Sequence, residues 1–477
     1  MPLPSGWEAF ITALIAEKTR MVFVPPGIPA GLRAAIASQP ALRLVETSKP
    51  AQMALGFAQA AAEPAVCFGG LDNLHPGIQQ AKNTCASIIA VSLDAETAGA
   101  DSAAKWSFRV SSPDQIPWCL RRAFSIASNG QPGPVLLEVP AQTGSSLAEI
   151  PACQPAQRGI RSSGDLARVI AAAFLLVEAR NPLLIAGRGA RLSGAQDDLR
   201  QLAELLGMPV LTTPAGRAIL PEEHPLALGH SGNTAHPLAK KALRETDLLV
   251  TVGARDIEIH HSGRVIQIDV EPFEIGRAFV PDLPIIGDAK LVLADILSAI
   301  LSEVKPKPEW QIRGANWAKA KQADEESLLS GCGQTAALSP CQALLSIQQA
   351  CPPDTLLVYP AQDPNLAAFS APFFRAASPQ NVLPVGLLSG PVADGIQLAM
   401  PAKKVLCVST SEPDSPPAQP LTWLVLNQLE ARPPSSLSDL ARYTAASVED
   451  LRQALSAADQ ANQQGQPALI EILTARG

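Results

Sequence analysis

Asn181-Pro182-Leu183-Leu184-Ile185-Ala186-Gly187-Arg188-Gly189-Ala190 decides the fold. Its apolar run, Pro182 to Ile185, reads as a buried strand, and the Gly-x-Gly that follows reads as the turn into a helix. Ala195 to Leu206 supplies that helix, and further strands follow at Pro209 to Leu211, Leu248 to Val252 and Val265 to Ile268. Strands alternating with helices imply a parallel sheet covered on both faces.

The same alternation extends outward in both directions. Strand-like runs precede it at Met21 to Val24, Leu42 to Val45, Ala65 to Phe68, Ile88 to Val91 and Val135 to Val139. Others follow at Thr355 to Val358, Val405 to Val408, Trp423 to Leu426 and Ala468 to Leu473. Two linkers punctuate the chain, one from Pro151 to Ser163 and a charged one from Lys305 to Gly333. The expectation is an α/β protein of three doubly wound parallel-sheet domains, at 1–155, 164–303 and 337–477.

Composition bounds the function. The 477 residues are 47% hydrophobic but only 4% aromatic, the aliphatic bias of buried helices and parallel strands. No apolar run reaches the ~18 residues of a membrane span, and the N-terminus lacks a basic, then apolar, export signal. A cytoplasmic protein with no membrane partner is expected. The net charge of −7 offers no phosphate track, which argues against a nucleic-acid partner. Eight cysteines without a C-x-x-C pair read as buried small hydrophobes in a reducing compartment. The adjacent His260-His261 reads as a loop pair, because strand neighbours point to opposite faces and do not share a metal. No metal site is expected.

Short matches in consistent order carry a resemblance. They are Val24-Pro25-Pro26-Gly27, Met53-Ala54-Leu55-Gly56-Phe57-Ala58, Gly133 to Pro140, Gly229, Asp247, Gly253-Ala254-Arg255, Ile268-Asp269, Gly287-Asp288 and Gly386 to Pro401. Together they resemble the thiamine diphosphate (ThDP)-dependent enzymes, the group of acetolactate synthases, 2-oxoacid decarboxylases and acyl-CoA lyases. The resemblance implies a first domain for the aminopyrimidine, a central domain that is structural or holds FAD or ADP, and a last domain that binds the diphosphate through Mg. It also implies a homodimer or homotetramer acting on a small molecule.

Three motifs depart from the family. Its acid at the aminopyrimidine falls on Thr47, one place after Glu46, so Glu46 is the candidate catalytic carboxylate and needs one extra residue in the loop before Met53. The family's Gly-Pro-Gly-x-x-Asn becomes Phe68-Gly69-Gly70-Leu71-Asp72-Asn73, which retains Gly70 and the candidate Asn73 but sets a ring where a glycine is expected; Phe68 should be buried and fill space. The Gly-Asp-Gly metal motif becomes Thr410-Ser411-Glu412, and Asn427 follows Ser411 by only 16 residues, closer than the family spacing. The prolines between them exclude the usual helix, although Glu412 or Asp414 could still meet a cation.

The central domain keeps its motif. Gly187, Arg188 and Gly189 after one strand, Gly253 and Arg255 after another, and Asp269 ending a third stand where relatives hold FAD, ADP or CoA; the alternative is that these glycines serve packing alone. The leading functional expectation is a diverged homologue that no longer holds ThDP and Mg in the usual way, repurposed for ligand binding or other chemistry. Its rivals are an active ThDP-dependent lyase or carboligase, and a non-catalytic partner of an active paralogue.

Overall fold

The computed structural model describes residues 3–94, 103–232, 235–255, 257, 263–332, 338–361, 363, 374–428 and 440–474, so His260-His261 and the side chain of Asn427 lie outside the described residues. The described residues form three six-stranded sheets whose strand pairings are parallel. It divides into two compact units, one of 1–160 with 386–403 and 413–421, the other of 161–385 with 404–412 and 422–477.

In the first unit the sheet order is β2-β1-β3-β4-β6-β5, with β1 at Met21–Val24, β2 at Arg43–Glu46, β3 at Ala65–Gly69, β4 at Ile88–Ser92, β5 at Trp106–Arg109 and β6 at Val135–Glu138. Its helices are α1 (Gly6–Ala16), α2 (Ala30–Ala37), α3 (Pro50–Ala61), α4 (Leu71–Thr84), α5 (Ile116–Ser128) and the short α6 (Ala141–Ser145). Alternation of side chains along a strand sends Val22, Val66 and Phe68 to the face covered by α1 and α5. Phe23 faces the other way, onto Phe57 of α3.

In the second unit the central sheet runs β12-β11-β10-β7-β8-β9, with β7 at Pro182–Ala186, β8 at Val210–Thr212, β9 at Ala227–His230, β10 at Leu248–Val252, β11 at Arg264–Asp269 and β12 at Leu283–Ile286. Around it lie α7 (Leu166–Glu178), α8 (Arg188–Ser193), α9 (Gln196–Leu206), α10 (Pro237–Glu245), α11 (Ala289–Glu303) and the long α12 (Pro308–Cys332). The third sheet runs β14-β13-β15-β16-β18-β17, with β13 at Leu356–Pro360, β14 at Val382–Val385, β15 at Val405–Ser409, β16 at Thr422–Gln428, β17 at Ala441–Ala445 and β18 at Ala468–Thr474. It is covered by α13 (Pro340–Ala350) and α15 (Val448–Gln463), whose Leu344, Ile347, Leu451 and Leu455 are buried.

The remaining helix, α14 (Gly390–Ala399), belongs to the first unit and crosses α3 at backbone contact. A Cβ on Gly56 would stand 2.0 Å from the Val392 carbonyl oxygen, and one on Gly395 2.0 Å from that of Met53. Glycine on both helices is what permits so close a crossing. Among the described residues no helix is long and apolar enough to cross a membrane.

One expectation is corrected. Cys332, ending α12, and Cys341, in the first turn of α13, form a disulfide with Cα atoms 6.1 Å apart, whereas the sequence alone reads all eight cysteines as buried small hydrophobes in a reducing compartment. They share no C-x-x-C motif.

Candidate functional site

Glu46 ends the edge strand β2, in register with Val24, and its carboxylate accepts from Arg33 of α2 at 2.8 Å. Thr47 accepts the Lys49 amide on its Oγ1 at 3.3 Å, which shapes the turn into α3. Asn73 is exposed in the first turn of α4. Among the described residues no hydrogen bond joins Glu46 to Asn73, and β1 separates β2 from β3, the strand that leads into α4. Phe68 is fully buried as expected, its ring 5.4 Å from that of Phe10. It faces the α1 side, away from α3, so it is a core residue of the sheet. Gly70 caps α4, where Asp94 Oδ2 accepts the Leu71 amide at 2.8 Å.

At the end of β15 the polar groups are committed to protein partners. Glu412 meets Arg442 of β17 in a two-pronged pair, 3.1 Å at each oxygen. The Thr410 hydroxyl donates to Asp363 at 3.0 Å, and Ser409 Oγ accepts from Trp423 Nε1 at 2.7 Å. Asp414 binds Lys49 Nζ at 2.8 Å and accepts the Gly390 amide at 3.3 Å. Among the described residues no three His, Cys, Asp or Glu side chains gather as a metal site. As placed, residues 410–412 do not fit a cation clamp, which needs carboxylate, amide and carbonyl oxygens converging on one point.

The segment after Glu412 lies along α14. Between Pro416 and Pro420 three of the five residues are proline, leaving amides only on Ala418 and Gln419. Both donate to Asp394 Oδ1, each at 2.8 Å. Asp394 is 3% exposed, and burial, resisted by these two amides, raises its pKa to about 6. Reading the sequence for family positions misses Asp394, although a lone charge inside Gly-Pro-Val-Ala-Asp-Gly-Ile-Gln-Leu-Ala marks it.

In the central domain the structure brings Gly187, Gly189 and Gly253 together. The Gly187 amide donates to the Val252 carbonyl and the Gly189 amide to that of Gly253, both at 2.9 Å. Gly253 has φ +54°, and a Cβ there would lie 2.5 Å from the Gly189 Cα. Two turns at the strand ends thus lock backbone to backbone, which occupies amides that a phosphate would otherwise use. Arg188 is half-buried at the start of α8, only six residues long. Arg255 pairs with Glu274 at 3.4 Å. Asp269 accepts the Glu271 amide at 2.9 Å, and burial raises its pKa to about 6.

A groove of about 510 Å³ opens at the other end of this sheet, lined in part by Lys307, Trp310, Arg313 and Trp317. Its cations cap helices: Lys307 reaches the Val177 carbonyl at 3.2 Å, and Arg313 reaches the carbonyls of Arg180 at 2.7 Å and Gly207 at 3.4 Å. That groove is explained by structure.

Residues 169–296 match the family pattern described as "Thiamine pyrophosphate enzyme, central domain". The chain is 33% identical over 346 residues to a probable acetolactate synthase large subunit of Methanocaldococcus jannaschii, covering 64% of this chain and 58% of that protein. Against the probable acetolactate synthase large subunit of Methanococcus aeolicus it is 31% identical over 62% of this chain and 55% of that one. The central part of the chain is thus similar to the central domain of thiamine pyrophosphate enzymes, and the chain is similar to acetolactate synthase large subunits. It spans a little over half the length of these curated relatives. The fold agrees along the whole chain: a putative thiamin diphosphate-dependent enzyme from Mycobacterium smegmatis superposes with a TM-score of 0.76 at 18% identity, covering 100% of both chains. In this chain α3 and α14 carry the Met53 to Ala58 and Gly386 to Pro401 motifs, and the segment from 413 to 421 packs with them.

Proposed function

We propose that this acetolactate synthase-like chain does not hold ThDP through a metal-diphosphate clamp, and that it serves as a small-molecule-binding protein on the ThDP-enzyme fold, assembled as a homo-oligomer. The observation that carries this reading is the commitment of Glu412 to Arg442, with the prolines from 413 to 420 in place of a phosphate-binding helix. A diphosphate without its cation would meet a chain of net charge −7. Glu46, bonded to Arg33 on an edge strand, is not poised for an aminopyrimidine either. The glycine turns of the central domain serve packing in this reading, and Arg188, Arg255 and Asp269 remain the side chains that a nucleotide there would meet.

Mass spectrometry of the protein purified from cells replete in thiamine tests the proposal. The expected result is no retained ThDP. Stoichiometric ThDP with Mg would support the rival, an active lyase or carboligase, and a co-purifying paralogous chain would support the third reading, a non-catalytic partner.

A further inference from the structure

α14 has ten residues, and its N-cap, Ser389, is extended (φ −129°, ψ 163°) with a side chain that caps nothing. Ser389 is 2% exposed, and its Oγ has no hydrogen-bond partner among the described residues. A buried hydroxyl left unpaired is costly, so one at the start of a helix calls for an acceptor. The Gly390 amide beside it points to Asp414 Oδ1 at 3.3 Å, while Lys49 Nζ holds Asp414 Oδ2 at 2.8 Å. An ammonium, a first-turn amide and the positive end of a helix are the donors that seat an anion. The anion present belongs to the chain itself.

We infer that the N-terminal end of α14 is a carboxylate-binding seat, closed by Asp414, which a small carboxylate ligand displaces. Asp414 displays the match: one oxygen lies on the ammonium, the other on the amide. In this proposal the unpaired Ser389 hydroxyl, next to Gly390 in the chain, turns to the incoming group as a third donor. The Lys49 and Asp414 side chains are 42% and 49% exposed. Ion pairs so exposed hold weakly, and the released Asp414 returns to water without stranding a buried charge. Seat and plug are 365 residues apart in sequence, yet both lie within the first compact unit. The inference is independent of the cofactor reading, and its test contains neither ThDP nor Mg.

The experiment titrates the full chain with carbon-13 acetate, followed by NMR, in wild type, Asp414→Ala, and Asp414→Ala combined with Lys49→Met or Ser389→Ala. Asp414→Ala should bind acetate about tenfold more tightly than wild type, and each second substitution should reverse much of that gain, as expected when a charged hydrogen bond is lost. Ser389→Ala should leave the melting temperature unchanged or raise it, since it removes an unpaired hydroxyl; a purely structural serine would lower it. Should Asp414→Ala not fold, Asp414→Asn keeps the shape and removes the charge. Equal acetate affinity in wild type and a folded Asp414 variant would overturn the inference, as would binding that survives Lys49→Met. A clear preference for inorganic phosphate over acetate would overturn the assigned ligand class.

Discussion

Asp394 accepts the amide of Ala418 at 2.8 Å, and the Gln419 amide joins it on the same oxygen. The prolines on either side leave no other amide nearby to make this contact, so one buried carboxylate fixes the path of the segment over α14. Asp394→Ala should destabilise the protein by roughly 2–4 kcal/mol, the loss of two hydrogen bonds to a charged group. Asp394→Asn, which keeps an acceptor oxygen, should cost less. Urea unfolding of both variants checks the order.

Asp394 and Asp269 both have pKa values raised to about 6, chiefly by burial. A carboxyl whose folded pKa exceeds its unfolded value binds more protons when folded, so stability falls as pH rises between about 4 and 6 and is level above. Each group should contribute on the order of 2 kcal/mol to that fall. Melts across this window should show a shallower slope in Asp394→Asn and in Asp269→Asn than in wild type; an unchanged slope would show that neither group titrates there.

The α3 to α14 crossing leaves no room for a methyl group. Gly56→Ala would set a Cβ 2.0 Å from the Val392 carbonyl oxygen, and backbone cannot yield as a side chain does. The expected cost is about 3 kcal/mol, at the upper end of overpacking penalties. Gly27→Ala is the contrast: its added Cβ meets nothing within 4 Å, so the penalty there is its φ of +80° alone.

The disulfide between Cys332 and Cys341 closes a short loop, with a sequence separation of 9. Loop-closure entropy assigns it about 2–3 kcal/mol. Cys341→Ser should lower the melting temperature under non-reducing conditions, and the difference from wild type should vanish once reductant is added.

The strands readable from sequence are, apart from Leu42 to Val45, the interior ones. Strands β5, β9, β12, β14 and β17 all lie at sheet edges. An edge strand has one paired side and needs no continuous apolar run: Trp106-Ser107-Phe108-Arg109 alternates, while Pro284 in β12 and Pro384 in β14 interrupt patterns that only an edge tolerates. The glycines at 187, 189 and 253 were readable as turns at strand ends, but not that their amides bond to the opposite turn and strand end. Asp394 was legible as a charge within an apolar helix. The pairing of Lys49 with Asp414 was not, because nothing local to either residue specifies a partner 365 positions away.

Calorimetric titration of ThDP with saturating Mg into the purified chain tests the central claim most directly. The account predicts no metal-dependent heat at micromolar ThDP, because Glu412 is held by Arg442 and, among the described residues, no three His, Cys, Asp or Glu side chains gather as a metal site. Binding at one ThDP per chain that disappears when Mg is chelated would contradict it, and would establish the cofactor site that the relatives' fold implies.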